Sequence, residues 1–123
     1  MMTLMPVAHF ARCHSGSRND TVDVSLFAAD DESYQVLVRA VTVGRVQAHF
    51  SERVRGPVLR YELPHLRALK FVLHEALDGG ASCSLRSDAT GSCFGSMLAR
   101  MEINVSYAFL TGFAKRHDSP DTT

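Results

Sequence analysis

Two spacings of apolar residues alternate along this chain. From Thr21 to Ala28, Val22, Val24 and Leu26 alternate with Asp23, Ser25 and Phe27, the period of a half-buried strand. After it Tyr34, Leu37, Val38 and Val41 fall at helical spacing. The change is marked by Ala29-Asp30-Asp31-Glu32-Ser33, where Asp30 or Asp31 can cap free backbone N–H groups and the acids suit the positive end of the helix dipole. Thr42 reads as a second cap, opening a helix through Val43, Val46, Gln47 and Phe50 with Gly44 as its weak point.

The same reading extends in both directions. Leu4 to Arg12 predicts a first strand with Val7, His9 and Ala11 on one face, followed by the turn-rich Ser15-Gly16-Ser17-Arg18-Asn19-Asp20. The first two strands then form a hairpin around a long polar loop. Pro57 to Leu63 predicts a third strand, stopped by Pro64, which cannot supply a ladder N–H. Leu66, Leu69, Leu73, Ala76 and Leu77 form a helical stripe, closed by Gly79-Gly80 as a left-handed cap. Ala81 to Arg86 reads as a short strand, Ser92 to Met101 as a helix with Phe94, Met97, Leu98 and Met101 inward, and Glu102 to Leu110 as a last strand. The connection between the first strands is too short for a parallel crossover. The prediction is therefore α+β: a mainly antiparallel sheet with helices on one face.

The 123 residues make one domain, assigned to 1–112, with 113–123 read as a disordered polar tail. A chain of this size buries roughly two-thirds of its unfolded surface without needing a staple. Thirteen Lys and Arg balance thirteen Asp and Glu. No field of one sign is available to attract a phosphate backbone, which argues against nucleic acid. Arg53, Arg55, Arg60, Arg67 and Lys70 lie close in sequence, read as solvated residues on several faces. Three cysteines, Cys13, Cys83 and Cys93, show no paired spacing, which argues for a reducing compartment. Neither a signal peptide nor a window near the ~18 apolar residues of a membrane span is found. The expected location is the cytoplasm.

A longer pattern lies in Arg60-Tyr61-Glu62-Leu63-Pro64, then Leu66, Ala68-Leu69, Phe71, Leu73, Ala76-Leu77, Gly79-Gly80, Ser84-Leu85-Arg86, Asp88, Gly91 and Met101-Glu102-Ile103. It resembles the AtuA-like domain, which forms the C-terminal part of acyclic terpene utilisation proteins and also occurs as a short separate chain. The likeness spans roughly Val7 to Ile103. It implies a ferredoxin-like α+β sandwich without an iron–sulfur cluster. It also implies a role beside acyl-CoA pathways for isoprenoid or related acids, with the large domain as partner. The family usually carries Arg-Ser-Gly-Asp-Lys-Gly-Asn-Thr after the first strand. Here that stretch is His14-Ser15-Gly16-Ser17-Arg18-Asn19-Asp20-Thr21, which keeps Ser15, Gly16, Thr21 and the positive charge at Arg18. The family's Lys after Asp-x-x-Gly is replaced by Ser92.

Two ligand-binding candidates follow. In the first, Ser15, Gly16 and Ser17 offer backbone N–H groups to an anion, Arg18 clamps it and Asp20 completes the loop; the bland alternative is an ordinary polar turn. In the second, Gly79 and Gly80 permit close approach of a ligand near Arg86 and Asp88, which otherwise pair with each other or fix the turn. His14 is a weak catalytic candidate. Cys13 and His14, adjacent on a strand, point to opposite faces and make poor partners. No spacing supports a metal site or cofactor motif. His9 reads as a partly buried sheet residue, His65 and His74 bracket the stripe helix, and Arg60 with Glu62 forms an ion pair or lines an interface. The leading reading is a non-catalytic accessory subunit docking onto a larger partner, or a homo-oligomer. The alternatives are a hydratase or lyase half-site for a carboxylate or CoA thioester, and a small-molecule sensor.

Overall fold

In a computed structural model, the structure describes residues 1–18, 21–51, 54–76 and 92–117. Gly79-Gly80 and the strand expected at 81–86 lie outside these. Six strands and four α-helices are described: β1 (Met2–Pro6), β2 (Ala11–Arg18), β3 (Thr21–Ala28), α1 (Asp31–Ala40), α2 (Val43–Phe50), β4 (Val58–Leu63), β5 (Ala68–Leu73), α3 (Ser92–Ala99), β6 (Glu102–Ser106) and α4 (Tyr107–His117). Every described strand pairing is antiparallel. The main sheet has the order β2-β3-β5-β4, and β1 pairs with β6 in a separate ribbon.

The strand predicted over Thr21–Ala28 matches β3, and its alternation sets the sidedness of the sheet. Val22, Val24 and Leu26 lie opposite Leu73, Phe71 and Leu69 of β5, and all six are buried. Helices α1, α2 and α3 pack on this side. Asp30 caps α1, its carboxylate accepting the Ser33 N–H at 2.8 Å, and Thr42 caps α2 by accepting the Arg45 N–H at 3.2 Å. The Phe50 and Phe94 rings meet at 5.2 Å between α2 and α3.

Four expectations are corrected. The first strand is broken: Val7–His9 forms a 3-10 turn, held by the Val7 N–H on the Met101 carbonyl at 2.8 Å. The break lets both Val7 and Phe10 enter the core, and leaves His9 exposed against Phe113 instead of in a sheet. Second, His14 to Arg18 is strand, not loop. Arg18 lies opposite Thr21, so only positions 19 and 20 connect the hairpin.

Third, the stripe from Leu66 is strand β5, reached from β4 through a 3-10 turn at Pro64–Leu66 and the left-handed Arg67 (φ 51°). Leu69 and Leu73 are four apart, a spacing that fits either element, but the pairing of Phe71 with Val24 and Arg60 settles it. His65 therefore sits in a turn and His74 follows a strand. Fourth, the last strand ends at Ser106 and α4 takes over, its Phe113 buried and its basic end bound to α1. The ordered body thus continues past residue 112 to His117.

That last contact carries a pH dependence. Asp30 Oδ2 accepts from Arg116 Nε at 2.6 Å and lies 2.7 Å from His117 Nε2. Partial burial opposes ionisation of Asp30, but hydrogen bonds from Arg116, His117 and Ser33 prevail and hold its carboxyl well below the usual range. Because the folded value lies below the unfolded one, this stabilisation is present above about pH 4 and fades as pH falls further. Acid titration of unfolding should show it, and Asp30→Asn should flatten that part of the curve.

Candidate functional site

The antiparallel register turns alternate residues of each strand away from the helices. One row across the sheet is Arg12, Phe27, Ala68 and Leu63; the next is His14, Ser25, Lys70 and Tyr61; the third is Gly16, Asp23, Val72 and Leu59. Leu59 is 41% exposed, Tyr61 48% and Leu63 36%, all on the edge strand β4. Phe27 and Val72 beside them are half-buried. Large apolar side chains set in a continuous row on an open face mark an interaction surface more than scattered exposed ones do. Arg12, His14 and Lys70 surround this strip, with Asp23 as its acid.

The other side of β4 is held differently. Arg60 donates from Nη1 to the carbonyls of Val38 (2.8 Å) and Val41 (3.0 Å), closing the end of α1, and from Nη2 to Glu62 at 2.6 Å. The expected interface pair is thus an ion pair on the helical side. Arg67 reaches Asp31 at 3.7 Å while Lys70 stands on the open face, so these basic residues do not form one patch.

The sequence candidates divide across β2. His14 lies on the open side, its ring edge-on to Phe27 at 5.6 Å, and Gly16 stands beside Asp23. Cys13 and Ser15 lie opposite Leu26 and Val24, on the helical side, as expected for neighbours on a strand. Ser17 and Arg18 end β2. Because this backbone is paired hairpin, the loop in which Ser15–Ser17 would wrap an anion does not form. Asp20, Gly79, Gly80, Arg86 and Asp88 lie outside the described residues.

A crevice of about 570 Å³ runs between β2 and α3 past Cys13, His14, Ser15 and Gly95. Gly95 permits the approach: a Cβ there would stand 3.0 Å from Ser15 Oγ. Burial pushes the Cys13 thiol up to about 11, so little nucleophilic thiolate exists at neutral pH. Among the described residues, no three His, Cys, Asp or Glu side chains gather to hold a metal ion. No helix among them is long and apolar enough to cross a membrane.

The apolar row on β4 was visible as alternation, yet nothing in the alternation itself said which side the helices would cover. That side is decided by β3 and β5, whose buried residues are paired to it.

This arrangement of antiparallel strands and one-sided helices is an α+β sandwich of the ferredoxin-like class. Residues 5–104 match the AtuA ferredoxin-like domain, and the chain belongs to that family. No curated protein and no solved structure matches the chain.

Proposed function

We propose that this chain is a non-catalytic accessory subunit. It docks through the open face of its sheet onto a larger partner, the large domain of an acyclic terpene utilisation-type protein, in cytoplasmic catabolism of terpenoid or related acyl-CoA compounds. The observation that carries this reading is the exposed row Leu59, Tyr61 and Leu63 beside Phe27 and Val72. Burying such a row is favourable at roughly 25 cal/mol per Å² of apolar surface, and Tyr is well suited to the centre of an interface. Arg12 and Lys70 favour a partner whose apolar patch is rimmed by carboxylates.

Affinity purification of the chain from its native host, with mass spectrometry of what accompanies it, tests the proposal. A larger protein should co-purify in equal molar amount. Recovery of this chain alone, whether single or self-assembled, would count against it.

A further inference from the structure

We propose that a groove between α1, the start of α2, β6 and the start of α4 binds a small amphipathic carboxylate, a molecule with an apolar body and one anionic head. The groove lies on the helical side, and the inference is independent of the docking proposal. It encloses about 700 Å³, within the ~300–1,000 Å³ usual for small-molecule sites. Val36, Val105 and Phe109 supply apolar lining, continuous with the hydrophobic core.

The charged lining residues are separated along the groove. On α1, Glu32 and Arg39 are seven residues apart, or about 10 Å along the axis. Arg45 is tied to the Arg39 end. Its Nη2 donates to the Glu102 carbonyl at 2.8 Å and its Nη1 to the Ala40 carbonyl at 3.4 Å. From Glu102, β6 runs back toward Ser106 and Phe109. Two guanidinium groups therefore mark one end, and Phe109 and Glu32 the other.

The acid is already engaged: Glu32 Oε1 accepts from Arg116 Nη1 at 2.7 Å. Arg39 has no ion-pair partner among the described residues. Of the five N–H donors of a guanidinium, Arg45 directs two at carbonyls and keeps the rest. The capped start of α2 at Thr42 adds positive potential at the same end. A carboxylate head fits between the two arginines, with its apolar body lying on Val36 and Phe109.

Titration of the full chain, followed by NMR and calorimetry, tests this with decanoate, decanol, inorganic phosphate and phosphatidylglycerol vesicles as probes. Decanoate should bind saturably at one site and shift the resonances of Val36, Val105 and Phe109. Decanol, lacking the charge, and phosphate, lacking the apolar body, should each bind about tenfold more weakly or worse. Arg39→Gln and Arg45→Gln should each weaken decanoate about five- to tenfold. Arg39 has no described contact to lose, so its variant keeps the fold even where Arg45→Gln disturbs the α1–β6 junction. Absence of saturable binding, affinity unchanged in Arg39→Gln, equal binding of decanol, or binding to vesicles without binding to free decanoate would each overturn the proposal.

Discussion

Replacing Phe71 by alanine should lower the stability of the fold by about 3–5 kcal/mol, whereas Val72→Ala, one residue on, should cost about 1 kcal/mol. Phe71 is fully buried on β5, between Val24 on one neighbouring strand and Arg60 on the other. Removing its ring leaves a cavity in a core that packs like a crystal. Against a total stability of roughly 5–15 kcal/mol, the loss is a large fraction. Val72 faces the open side and is only half-buried. The pair also tests the element itself. In a helix, Phe71 would lie about 200° round from Leu69, away from the stripe. In β5 it shares the buried face with Leu69 and Leu73. Chemical denaturation of both variants reads the difference directly.

The second large effect concerns association. Leu59→Asp combined with Tyr61→Glu should weaken binding to the co-purified partner at least ~100-fold. Both side chains are exposed in the free chain, so the acids remain hydrated and stability changes little. In the complex they would have to be desolvated, and a carboxylate-rimmed partner would repel them. The melting temperature should stay within a few degrees of the parent value, which separates lost docking from lost folding.

Much of the architecture was legible wherever local chemistry and tertiary packing agree. Asp30 and Thr42 announce their helices because a short acceptor preceding a helical period has one favourable use. Thr21–Ala28 reads correctly because its apolar positions keep a strict period of two. Leu69 and Leu73 mislead, since four is a multiple of the strand period and close to a helical turn. Pro64, read as a stop, instead opens the turn of a β4–β5 hairpin with Arg67 in a left-handed conformation.

His14 to Arg18 mislead for another reason. Their small polar composition suits a turn, but β3 supplies the pairing and Gly95 of α3 packs closely over Ser15. Small residues on β2 thus admit a helix at short range rather than make a loop. The open face and the groove are products of assembly. Leu59 and Tyr61 become a surface only when the helices choose the other side of the sheet. Arg39 and Arg45 meet only when α2 returns beside the end of α1.

The account stands most directly on where the partner sits. Calorimetric titration of the co-purified partner should be made with the parent chain, with the Leu59→Asp, Tyr61→Glu variant, and with Gln47→Glu on the exposed side of α2. The account predicts near-parental affinity for Gln47→Glu and at least ~100-fold loss for the double variant. Unchanged affinity for the double variant, with weakened binding for Gln47→Glu, would place the partner on the helices and contradict it.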